Sequence, residues 1–214
     1  MVLMLGTAGL MAPRWRREDI NGNESAAIAI LKNISSAQAQ VQASGVIDAN
    51  QDGAGEYGFF GEMSGSHAVR TDAKGGVGAT FVSPPVLTPR WSQVRKQRVV
   101  LQGYVFQIFL PGQDGTWVGE NPNGGSAGCM IDPQQADKLW LCYAWPEHHG
   151  WSGNRCFLVD NHGDVLALHN RNGRYSGDAA PLPGKTGYAG VGFGVQCRLA
   201  INREDSLGDS WTVI

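Results

Sequence analysis

Between Asn23 and Val41 the residues Ala27, Leu31, Ile34, Gln38 and Val41 recur at alternating spacings of four and three, the period of one face of an α-helix. The pattern predicts a helix over residues 18–43, stopped by Ser44-Gly45. Upstream, an apolar run from Met1 to Ala12 meets Pro13 and a basic collar of Arg14, Arg16 and Arg17. From Val46 onward the pattern changes to short runs punctuated by glycine. These predict strands at Tyr57–Phe60, Val99–Leu110, Thr116–Gly119, Leu139–Trp145, Arg155–Asp160 and Val165–His169. Within Gly103–Leu110, Tyr104, Phe106, Ile108 and Leu110 alternate with Val105, Gln107 and Phe109, which marks the expected central strand. Asn161-His162-Gly163-Asp164 reads as a hairpin turn, and Asp132-Pro133 as the cap and first turn of a short helix ending near Leu139.

The expected fold is therefore α+β: a long N-terminal helix followed by a Gly-rich antiparallel β head. It divides into an apolar N-terminal segment with helical stalk, residues 1–44, and a β-rich globular head, residues 45–214. Thirty glycines, ten prolines and only 17% charged residues agree with a loop-rich, β-rich body rather than a helical bundle. A formal charge of −2 leaves no electrostatic footprint for nucleic acid, and the one basic run, Arg90–Arg98, is short. The apolar head is shorter than the roughly 20 residues a membrane-crossing helix needs, and it lacks the basic start of a signal peptide. Its place is against a membrane surface or neighbouring copies, with Leu3, Leu5, Leu10 and Met11 as the assembly residues.

Four segments bear on chemistry. Asp48, Asn50 and Asp52 place oxygen side chains at alternate positions before Gly53, with Glu56 beyond, which is the first half of an EF-hand-type calcium loop. Calcium is the cofactor that this pattern implies, with Glu62 as a further donor. The four cysteines, Cys129, Cys142, Cys156 and Cys197, include no C-x-x-C pair, so a zinc or thioredoxin-like site has no footing. Their even number suits two disulfides of unspecified pairing, while buried free thiols remain the alternative. His148-His149 after Trp145-Pro146-Glu147 reads as a polar loop, and the tryptophans Trp140, Trp145 and Trp151 as core rather than a glycan groove.

The segment Gly125-Ser-Ala-Gly-Cys129 looks like the Ser-His-Gly-Cys nucleophile segment of bacterial L,D-transpeptidases. Ala127 occupies the histidine position and Asp132 follows where that family carries arginine, so base and electrostatic help are both missing. A stronger resemblance covers Asn23-Glu24-Ser-Ala-Ala-Ile through Gln38-Ala-Gln40, which is similar to the segment of bacterial type IV pilins and type II secretion pseudopilins just after their apolar half-helix. A second block resembles an uncharacterised family of secreted bacterial proteins, a domain of unknown function. It runs from the Asp48–Tyr57 loop through Gly103-Tyr104, Ala144-Trp145-Pro146 and Phe157–Val165.

The resemblance implies a pilin-like, disulfide-stapled structural subunit of an extracellular or cell-envelope filament, self-assembling through its apolar N-terminal helix, and not an enzyme. The alternative is an envelope-associated accessory or binding subunit of a larger membrane complex. A peptidoglycan-acting thiol enzyme using Cys129 comes third.

Overall fold

The structure, a computed structural model, describes residues 12–189 and 198–214. It is built on an antiparallel sheet of seven strands: β1 Val99–Leu101, β2 Tyr104–Pro111, β3 Trp117–Gly119, β4 Leu141–Pro146, β5 Cys156–Asp160, β6 Val165–Leu168 and β9 Trp211–Val213. The strand order is β1-β2-β4-β5-β6-β9, with β3 pairing the far end of β2. Two short strands, β7 Tyr188–Ala189 and β8 Arg198–Leu199, pair with each other outside this sheet. Helix α1 runs from Ala12 to Ser44, and the remaining helices α2, Phe60–Met63, and α3, Pro133–Ala136, are single turns.

Strand alternation creates two cores. Tyr104, Phe106, Ile108 and Leu110 of β2, with Cys142, Ala144, Phe157, Val159, Val165 and Ala167, face Ala27, Leu31, Ile34, Ala37 and Val41 of α1. On the other face Val105, Phe109, Leu141, Tyr143, Trp145, Cys156, Leu158, Leu166 and Leu168 gather under Tyr175, Tyr188 and Trp211. Leu31 is completely buried, and such a side chain contributes about 2 kcal/mol of hydrophobic stabilisation. Trp91, carried on a 3-10 turn at Pro89–Ser92, stacks on Phe60 at 4.5 Å and meets Phe106 edge-on at 5.6 Å, closing the rim of the first core.

The expected pilin-like α+β fold with a long N-terminal stalk is corrected by this arrangement. The seven-stranded antiparallel sheet is the framework, and α1 is the sole helix of more than four residues among those described. The stripe that reads as a stalk is the surface that α1 lays on the sheet, and from Glu24 to Val41 it is a core element. Even the polar member of the stripe is buried there. Gln38 donates its Nε2 to Gly58 O at 2.8 Å and accepts from Gly58 N at 2.9 Å, so its amide serves the chain as a strand neighbour would. Nearer the start, Glu24 accepts from the backbone N–H groups of Asn154 and Arg155 at 3.0 and 3.1 Å and from Arg155 Nε at 2.6 Å.

Two local readings also change. The run Val99–Leu110 is broken at Gln102-Gly103, both at positive φ, into the hairpin β1–β2, and β2 lies next to the sheet edge, leaving β4 and β5 central. Tyr57–Phe60 is not a strand; it leads into α2. The short helix α3 does form, with Asp132 Oδ1 accepting from Gln134 N at 3.0 Å.

Glycine permits the closest approach in the fold: a Cβ on Gly55 would sit 1.8 Å from Gln42 O of α1. Gly55→Ala is expected to cost about 2 kcal/mol or more, since the obstacle is backbone. Gly22→Ala, inside exposed helix with no atom within 4 Å of its Cβ, should stabilise by about 0.5–1 kcal/mol. Urea titration of both variants checks the pair; an unchanged midpoint for Gly55→Ala or a lowered one for Gly22→Ala contradicts the corresponding expectation.

Candidate functional site

The densest polar cluster is buried where α2 meets the loop from Glu120 to Cys129. Arg70 is 2% exposed and shares its guanidinium between two acids. Its Nη2 and Nε lie 2.8 and 3.0 Å from Glu56 Oε2, its Nη1 is 2.9 Å from Glu62 Oε2, and Nη2 also donates to Tyr57 O. Glu62 accepts in addition from Phe59 N at 2.9 Å, Arg70 N at 3.1 Å and Ser126 Oγ at 2.8 Å. Removing an ion from water costs several kcal/mol, so Arg70 is tolerable in the interior only with both partners in place.

Glu120 sits beside this network with no cation of its own. Its Oε1 accepts from Gly61 N at 2.6 Å and Gly125 N at 2.7 Å, which ties the loop to α2, while its buried Oε2 has no hydrogen-bond partner. Burial, reinforced by the neighbouring Glu62 charge and opposed by those backbone donors, pushes its carboxyl up to about 8. At neutral pH the group is largely the protonated acid. His67 packs its ring against Gly124 and Gly125, where any Cβ would come within 2.8 Å of it, and pairs its Nδ1 with Ser66 Oγ at 3.0 Å.

This cluster absorbs several residues singled out from the sequence. Glu56 turns inward to Arg70 and accepts from Ala49 N at 2.6 Å. Asp48, Asn50 and Asp52 stay at the surface, where Asp48 accepts from the N–H groups of Asp52 and Gly53, Asp52 from Ala54 N, and Asn50 donates to Asp52 Oδ2. The loop thus satisfies its own backbone as an Asx turn does. Among the described residues no three His, Cys, Asp or Glu side chains are grouped to hold a metal ion.

Cys129 is half-buried, directs its thiol to Gly119 O at 3.6 Å, and is pushed up to about 11 by burial and then by the Glu62 and Glu120 charges. A thiol so placed is protonated at neutral pH. Cys129, Cys142 and Cys156 are free, which corrects the expected disulfides for these three, and Cys197 lies outside the described residues. The physical reason is plain for one pair: Cys142 faces the α1 core and Cys156 the opposite one, so the thickness of the sheet separates them. Leu3, Leu5, Leu10 and Met11 also fall outside the described residues. Among the described residues no helix is long and apolar enough to cross a membrane.

The chain matches no known family model, no curated protein and no solved structure. Its chemistry therefore has to be read from the residues themselves. The cluster offers a buried acid that is largely protonated at neutral pH, an arginine paired with two carboxylates and a protonated thiol, and its hydrogen bonds fasten α2 to the loop from Glu120 to Cys129. Sequence reasoning missed Arg70 and Glu120. Their partners are spread from residue 56 to residue 125 without any periodic signature.

Because the folded state raises the Glu120 pKa above the ordinary 4.5, its favourable contribution is complete below about pH 4.5 and is lost as pH rises through about 8. Glu120→Gln keeps an acceptor for Gly61 and Gly125 but never ionises. Its melting temperature should match the parent near about pH 5 and exceed it near about pH 9; parallel profiles of the two proteins would remove Glu120 as the titrating group. Cys129 should stay unlabelled by a neutral-pH thiol reagent in the folded protein and react on denaturation. Fast labelling of the native chain, abolished in Cys129→Ser, would contradict the geometry.

Proposed function

We propose that this chain is a structural, non-catalytic subunit of an extracellular or cell-envelope assembly, held through the apolar segment of residues 1–12. The observation that carries the reading is the continuity of α1, unbroken from Ala12 to Ser44 and rooted in the core of the head. A pull applied to the N-terminal segment passes along a hydrogen-bonded helix straight into the sheet. Two anchors support that route. Glu24 binds Arg155 and the backbone at the start of β5, and Gln38 binds Gly58 further along. A helix joined to its domain by a flexible link would not transmit force in this way.

The spent chemistry of the buried cluster supports the same reading. Arg70, Glu56, Glu62 and Glu120 are engaged in holding loops, and the half-buried Cys129 thiol is held protonated. On the first described turns of α1, Ile20 is buried while Arg17, Glu18, Asp19, Asn21 and Gly22 are exposed, so the outer side of this stretch is open to neighbouring subunits. Contacts of an apolar segment with a different surface on the next copy do not close on themselves, and filaments are their product.

Negative-stain electron microscopy of the full-length protein from its native envelope, beside a chain beginning at Glu18, tests the proposal. Regular filaments from the first and discrete particles from the second are expected. Discrete particles from both would replace the filament with a subunit of fixed stoichiometry in a membrane complex.

A further inference from the structure

On the sheet face away from α1, at the end where β5 turns into β6, lies a cavity of about 380 Å³ that the assembly reading leaves unused. Small-molecule pockets span roughly 300–1,000 Å³, so its size admits a ligand. Its walls combine two characters. Trp117, Leu139, Tyr188 and Leu199 supply apolar and aromatic surface, while the β5–β6 turn brings Asp160, Asn161, His162 and Asp164 and the far wall brings Arg203.

The polar groups are ordered by the turn itself. Asp160 is only 3% exposed and accepts from His162 N at 2.9 Å, and its two oxygens lie 3.1 and 3.2 Å from His162 Nδ1. That pairing leaves the Nε2 atom of His162 for another partner. Burial raises the Asp160 carboxyl, with the backbone N–H and the imidazole of His162 opposing the rise. Asp164 and Arg203 are exposed and of opposite sign. The indole Nε1 of Trp117 is buried with no acceptor among the described residues. An unmet buried donor costs about 1–3 kcal/mol, and cases in folded proteins call for a specific reason.

We propose that this cavity binds a neutral carbohydrate, one or two sugar rings presented by a glycan. A ring with adjacent hydroxyls both donates and accepts, which suits a pocket that mixes carboxylates, an amide, an imidazole and a guanidinium. Its C–H face suits the indole and phenol surfaces of Trp117 and Tyr188. An anionic ligand is opposed by Asp160 and Asp164, and a cationic one by Arg203. A purely apolar ligand would leave the turn's polar groups without partners. Binding of this kind extends beyond the structural role: it would give each copy in an assembly a weak hold on a polysaccharide surface.

The experiment is a titration of the full-length protein with cellotriose, maltotriose and tri-N-acetylchitotriose, followed by the tryptophan indole ¹H–¹⁵N resonances. Trp117→Phe assigns the Trp117 signal. Saturable movement of that resonance with at least one trisaccharide is expected, and Asp164→Asn and Arg203→Ala, both at exposed positions, should each weaken it by about tenfold. An unmoved Trp117 resonance with all three sugars overturns the proposal. So does equal movement in the two variants, or displacement by an apolar dye that the sugars cannot compete with.

Discussion

An antiparallel sheet usually leaves one face to water. Here β2, β4, β5 and β6 are buried at every position, on both faces. Each face must therefore be roofed by chain from elsewhere, and most of the architecture follows from how that is done. Helix α1 roofs one side with a stripe of small and branched residues, of which Ala27 and Ala37 let the helix lie close. The other side has no long helix among the described residues, and Tyr175 from a loop, Tyr188 from β7 and Trp211 from the edge strand β9 roof it. The two roofs differ in kind: one is a single rigid rod, the other a set of aromatic side chains carried by a loop and two short strands.

Irregular backbone brings polar groups inside, and the buried acids answer that demand. Glu62 and Glu120 accept the N–H groups of α2 and of the loop that crosses it, and Asp205 does the same on the opposite face for Gly187 N and Trp211 Nε1 at 2.8 and 3.0 Å. A carboxylate accepts several such bonds at once, so one side chain organises a loop that would need many backbone pairings otherwise. Arg70 then balances the charges of Glu62 and Glu56. The arrangement trades desolvation for definition of the loops, and it holds only while every partner is present.

The parts legible in the sequence are those with a period. The spacing from Ala27 to Val41 identified α1, the alternation from Tyr104 to Leu110 identified β2, and Asp132-Pro133 identified the cap of α3. What failed was direction. A stripe on a helix says that one side is apolar but not whether sheet or partner covers it, and so a core helix read as a stalk. Likewise Gln102-Gly103 carries a turn inside what composition alone presents as one long apolar run. Glu56 shows the same limit in the site: the Asp48–Glu56 spacing fits a cation loop, yet Arg70, distant in sequence, claims the carboxylate. Pairings between scattered residues leave no local trace.

Trp211 holds a consequence for the order in which the molecule comes together. It is fully buried in the second core and pairs with Leu168 across β6–β9, although residues 169–210 lie between the two in sequence. Both roofs close over distant parts of the chain, α1 meeting Arg155 from 131 residues upstream at Glu24 and Trp211 meeting Leu168 from beyond residues 169–210, and the Trp211 contact closes only after the strands it covers have been made. Until it does, Leu158, Leu166 and Leu168 lie bare on strands that already have their partners. A chain made as far as β6 but not yet β9 thus presents a greasy, half-roofed sheet, which is the interval in which a chaperone, or a misplaced second copy, would find most to hold.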